Sequence, residues 1–164
     1  MERELDAIAE YRKTKIFLNE QFTFENFSNN HGRDRITHIA THTTLKGKEL
    51  VLQFFDRQIS LDLLRQSSLD PVDLLILSAC LTGFDTDSEY GFAGLSLAID
   101  AKSVIATLWQ VGDEGSANLA SAFHKYLSSS ATPEEALQLA QKDMIRQGAH
   151  PAFWGGFTLI GSPW

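Results

Sequence analysis

Cysteine is nearly absent from this chain, which has one, Cys80. A single thiol closes no intrachain disulfide, so the fold rests on its core, as expected in a reducing, cytoplasmic compartment. Basic residues are scarce too, 14 Lys and Arg against 21 Asp and Glu, for a formal net charge of -7. That balance argues against nucleic acid or anionic membrane as the main partner, since both are bound through clustered cations. Long apolar runs are missing: none reaches the ~18 residues of a membrane-spanning helix. The charged start, MERELDAIAEYRK, lacks the apolar stretch of a signal peptide. There is no internal repeat and no low-complexity linker, Ser128–Ser130 being too short to separate domains. What is present is 164 residues, 43% hydrophobic, enough for one domain with its own core.

Apolar runs alternate with helical patterns along that domain. Helices are expected over Glu4–Tyr11, Phe22–Asn29, Gly91–Asp100 and Ser116–Leu127, with a helical turn at Leu63–Gln66. Strands are expected at Lys15–Leu18, Arg35–Thr41, Ser103–Trp109 and Phe157–Ile160. Glu49–Phe54 and Gln58–Leu61 flank Asp56-Arg57 and read as a β-hairpin. Val72–Ala79 is almost continuously apolar, the pattern of a strand buried on both faces of a parallel sheet. Thr132-Pro133-Glu134-Glu135 supplies a helix start, with an N-cap threonine, proline at the first helical position and a glutamate at the third. The alternation predicts an α/β sandwich: a mainly parallel sheet with helices on both faces.

In open parallel sheets, ligands and chemistry gather beyond the carboxyl ends of the strands. Cys80 follows one such strand and His42 another. If the two strands are neighbours, at ~4.8 Å spacing, the imidazole and thiol come within reach of one another. The imidazole then takes the thiol proton, turning a group of ordinary pKa ~8.5 into a nucleophile. A lone cysteine after an apolar run is, by itself, more often a small buried hydrophobe. His38, inside its strand, reads as a hydrogen-bonded sheet histidine, and Trp109 and Trp154 as core aromatics. His31, His124 and His150 have no acidic or cysteine neighbour at metal-ligand spacing.

The ordered set ITHIATH, VDLLILSACLTG, GFAGLSLAIDAKSVIATLWQVGDEGS, PEEALQLAQKDM and HPAFWGGFTLIG resembles the CHAT domain, a caspase-like, TPR-associated family of clan CD cysteine peptidases related to caspases and separase. The resemblance implies a caspase-like three-layer sandwich and a cysteine endopeptidase that needs no cofactor. It implies a protein or peptide substrate and, as a further partner, a TPR or other regulatory segment or chain. By position, His42 matches the family's catalytic histidine and Cys80 its nucleophile, with the amides of Cys80 and Thr43 as oxyanion donors. Trp109, Gln110 and Val111 match the segment that runs beside the bound peptide, with Asp113 just beyond. Carboxylates there favour a basic or unselective pocket over an acidic side chain, although the simpler reading of Asp113 is a cap on the helix expected at Ser116–Leu127. Two positions depart from the family: Thr43 replaces a glycine after the histidine, and Leu81 replaces a glutamate after the cysteine. The chain also opens with a helix that in the family follows a first strand, so the expectation is a single CHAT-like domain over 1–164 lacking that strand. The competing reading is a non-catalytic CHAT-like module that binds protein partners and keeps the pair as ancestry. A flavodoxin-like nucleotide binder is disfavoured, because no glycine-rich phosphate loop follows the first strand.

Overall fold

The computed structural model describes residues 2–11, 13–30, 35–47, 49–60, 63–64, 72–79, 101–109, 111–129 and 131–162. Among them the strands are β1 (Ile36–Thr41), β2 (Thr43–Lys46), β3 (Glu49–Gln53), β4 (Gln58–Ser60), β5 (Leu74–Ala79), β6 (Ser103–Thr107) and β7 (Phe157–Gly161). The helices are α1 (Glu2–Ala9), α2 (Phe24–Asn30), α3 (Asp113–Ser128) and α4 (Pro133–Arg146). None is long and apolar enough to cross a membrane.

Three strands become parallel neighbours, with β5 between β1 and β6, and β7 closes the far edge antiparallel to β6. With side chains alternating, β5 feeds two cores at once. Leu75 and Leu77 pack with Ile39, Val104, Leu52, Phe54, Ile59 and Phe27. Leu74 and Ile76 pack with Ile105, Leu119, Phe123 and Leu127 of α3 and with Ala136, Leu137, Ala140 and Met144 of α4. One face is therefore covered by α2 and a second sheet, β2-β3-β4, and the other by α3, α4 and α1, which lies against α3. The expected α/β three-layer sandwich is what the chain forms.

Phe54 centres the first core. Its ring stacks on Phe22 with centroids 4.7 Å apart and meets Phe24 edge-on at 5.6 Å. Beyond area burial, such aromatic pairs contribute ~0.5–1.5 kcal/mol each. On the second face, α4 starts as its sequence predicts: the Thr132 hydroxyl accepts from the Glu135 amide at 3.2 Å, and the Glu135 carboxylate accepts from the Thr132 amide at 3.1 Å. Tyr126 of α3 donates its hydroxyl proton to Asp143 of α4, clipping the two helices together. At the amino ends of the parallel strands, the Asp73 carboxylate binds Lys102 at 2.5 Å and also Arg35, joining the starts of β1, β5 and β6. These two cations, Lys102 foremost, hold the Asp73 carboxyl below its ordinary value.

The hairpin at Asp56-Arg57 forms as expected, with β3 antiparallel to β4. Two elements differ from expectation. Lys15–Leu18 forms no strand and runs instead into a 3-10 turn at Asn19–Gln21, where Asn19 adopts φ 48. So short a run makes a strand only beside a partner with a matching ladder, and this left-handed residue turns the chain away. β2, with its weak Thr-Thr-Leu-Lys pattern, was not expected, and it pairs with β3. Leu63 and Leu64 are helical, as expected of the turn at 63–66. The helix expected at Gly91–Asp100 lies outside the described residues.

Candidate active site

β1 and β5 run parallel in register from Ile36 opposite Leu74 to Thr41 opposite Ala79. His42 is the next residue after Thr41 and lies exposed at the carboxyl rim. It is also the single residue between β1 and β2, where the chain leaves one sheet for the other. Its backbone is pinned on both sides: the Gln53 amide donates to the His42 carbonyl at 3.0 Å, and the Thr41 hydroxyl donates to the Gln53 carbonyl. A side chain on such an anchored link projects from a fixed base.

Thr43 opens β2 opposite Leu52 and is buried. Among the described residues, Asn19 is the one non-glycine with positive φ, so Thr43 does not use the conformation that favours glycine. An extended strand suits a β-branched side chain, so threonine stands here without backbone strain. Cys80, one peptide bond beyond Ala79, lies outside the described residues, as do Leu81 and Gln110.

Past the end of β6, Trp109 is 41% exposed, which corrects the expectation of a core aromatic. Its indole N–H donates to the Ala152 carbonyl at 3.0 Å. Its ring lies against Gly156, where a Cβ would come within 3.0 Å of Cε2. This glycine surface seats the indole flat at the rim instead of letting it turn inward. Trp154 does pack against the second core. Val111 commits its side chain to that core as well. Asp113 is exposed and is the first residue of α3. Gly112 holds the N-cap position with no side-chain cap bond, so Asp113 favours the helix through its charge at the N-terminus and not as the cap.

A buried polar cluster was missed at the sequence level. His38 stands in the middle of β1 with its side chain 8% exposed, its Nε2 lying 3.1 Å from Oε1 of Glu4, itself 4% exposed. On the other side, His38 Nδ1 lies 3.4 Å from Nε2 of His124, which is 2% exposed. His38 is thus the hydrogen-bonded sheet histidine that was expected. His124 is not the isolated helix histidine that its sequence neighbours suggest. The available signal was periodicity: Glu4 and Ile8 lie four apart on one face of α1, and His124 sits between Phe123 and Leu127 on the apolar face of α3.

Comparison with curated proteins gives no match. The CHAT domain family model matches residues 1–162, essentially the whole chain, on a fold whose neighbouring strands β1 and β5 lie parallel with His42 at the rim. The protein therefore belongs to the CHAT domain family.

Proposed function

We propose that the chain is a caspase-like cysteine endopeptidase domain with His42 and Cys80 as its dyad. The observation that supports this most is the pairing of β1 with β5, in register as far as Thr41 and Ala79, the residues that immediately precede His42 and Cys80. His42 accepts the thiol proton and the Cys80 thiolate attacks the carbonyl carbon of the scissile peptide. Amides of Cys80 and Thr43 hold the oxyanion of the tetrahedral intermediate. His42 then returns the proton to the leaving amine, and water hydrolyses the acyl-enzyme. Around the rim, the main chain of Trp109, Gln110 and Val111 pairs with the extended substrate by β-augmentation. Asp113 and Glu114 beyond it disfavour an acidic residue before the cut.

Cleavage of a peptide library by the protein and by Cys80→Ala, His42→Ala and His38→Ala variants tests the assignment. Loss of cleavage at Cys80 and His42 is expected. Activity that survives His42→Ala but is lost in His38→Ala overturns it, and a strong preference for Asp before the cut overturns the pocket argument. Leu81, in place of the family's glutamate, favours the alternative of a non-catalytic partner-binding module. Alkylation of Cys80 by iodoacetamide across pH separates the two readings: a thiolate reactive below neutral pH belongs to an enzyme, and a thiol reactive only in the alkaline range to the module.

A further inference from the structure

We propose that the turn at 150–156 is a positioning clamp that fixes the peptide-binding segment at both ends before a substrate arrives, with Phe153 and Gly156 as its positioning residues. The inference rests on the reading of Trp109–Val111 as the strand edge that pairs with peptide main chain. β6 ends at Thr107 and α3 begins at Asp113, so that segment is a link and takes its shape from what it touches. Both of its ends meet the same turn. At the β6 end the Leu108 amide donates to the Gly156 carbonyl at 2.7 Å, and the Trp109 indole N–H donates to the Ala152 carbonyl. At the α3 end the Phe153 ring lies over Gly115, so closely that a Cβ there would stand 3.0 Å from Cδ1. Gly156 is a common seat between the two: a Cβ on it would come within 3.2 Å of Cγ2 of Val111 as well as meeting the Trp109 indole.

The turn is itself held from behind. His150 Nδ1 accepts from the Ala152 amide at 3.2 Å, and the Gly155 amide donates to the Pro151 carbonyl at 2.8 Å. From α4, the Gln141 side-chain amide donates to the carbonyls of Trp154 at 3.2 Å and Phe157 at 3.1 Å. The clamp is thus fastened to α4. Phe153 is 44% exposed and belongs to neither apolar core, so its ring serves contacts at the rim, with Gly115 and, edge-on at 6.5 Å, with His150. A peptide that adds to a strand edge gains its main-chain hydrogen bonds in full only where that edge is already ordered, since ordering it at binding subtracts from affinity. The clamp therefore acts on the substrate residues that precede the cut and not on the thiol.

Two alkylating probes of Cys80, the chain's single thiol, separate the clamp from the dyad. One is a lysyl chloromethyl ketone and the other a tetrapeptidyl chloromethyl ketone ending in the same lysine; each forms a thioether with loss of chloride. The ratio of their second-order rates reports pairing upstream of the cut, whatever the pKa of the thiol. The full chain is expected to favour the tetrapeptide. Freeing even one residue of the segment is worth a factor of about ten in affinity, so Phe153→Ala and Gly156→Ala are each expected to lower the ratio about tenfold. Phe153→Tyr keeps the ring over Gly115 and is expected to keep the ratio. A ratio near one in the unaltered protein, or one that ignores Phe153→Ala and Gly156→Ala, overturns the clamp. So does an equal loss with both probes, the result of a merely structural role. A thiol slow toward both probes counts against the dyad and leaves the ratio, and with it the clamp, measurable.

Discussion

The amide of Gln53 donates to the carbonyl of His42 at 3.0 Å, and the Gln53 carbonyl in turn receives the Thr41 hydroxyl. One residue of the second sheet thus anchors two consecutive residues at the rim of the first.

Removing the hydroxyl loosens that anchor. Thr41→Val keeps the shape and β preference of a buried side chain but leaves the Gln53 carbonyl one donor short. A stability loss of about 1 kcal/mol is expected, read as a lower urea midpoint with an unchanged slope. If His42 acts in the proposed dyad, kcat falls with little change in KM.

The aromatic core answers to a larger change. Phe54 is fully buried among Phe22, Phe24 and Phe27, so Phe54→Ala opens a cavity as well as losing transfer energy. The expected cost is about 3–5 kcal/mol, a large part of the stability of a domain of this size. Chemical denaturation measures it, and a loss below about 1 kcal/mol contradicts the packing described.

Gly115 tests packing of the opposite sign. A Cβ there would stand 2.9 Å from the Phe153 Cβ, inside contact distance. Alanine gains about 1 kcal/mol in helix propensity, against about 1–3 kcal/mol for overpacking, so Gly115→Ala is expected to destabilise on balance. A higher melting temperature for the variant would show that Phe153 yields freely.

Acid and alkali act through different clips. Hydrogen bonds from Lys102 and then Arg35 lower the Asp73 carboxyl below its ordinary value of 3.8, so the folded state binds its proton less readily than the unfolded chain. Its contribution is present above pH 3.8 and fades as the pH falls through the folded value. Asp73→Asn is expected to flatten the acid limb of stability between pH 5 and pH 2. Tyr126 runs the other way: its bond to Asp143 raises the phenol above 10.0, so that stabilisation is present below pH 10.0 and lost as the pH climbs through the folded value. Tyr126→Phe is expected to remove that alkaline loss, measured by urea unfolding at pH 8 and above.

Much of the architecture was legible because its signals are local. The nearly unbroken apolar run at Val72–Ala79 forecast a strand buried on both sides, and Thr132-Pro133 with Glu135 forecast a helix start realised bond for bond. Lys15–Leu18 misled because strand propensity says nothing about the presence of a partner, and β2 was missed because its stability comes from β3. Trp109 was misjudged since hydrophobicity does not reveal that a glycine pair seats the indole at the surface. The pairing of His38 with Glu4 and His124 spans separations of 34 and 86 residues, which no windowed pattern detects. Motif order located His42, and only the strand register explains why its position is fixed.

A one-residue link between two sheets has no slack. His42 joins β1 to β2 without a loop, and β2 is laced through β3 to β4 and the Asp56-Arg57 turn, whose Asp56 carboxylate accepts the Phe24 amide at 3.0 Å at the start of α2. The three-stranded sheet therefore works as a lever whose short arm ends at the imidazole. Because no loop lies between β1 and β2, a displacement of the hairpin tip or of α2 is expected to reach His42 as a tilt.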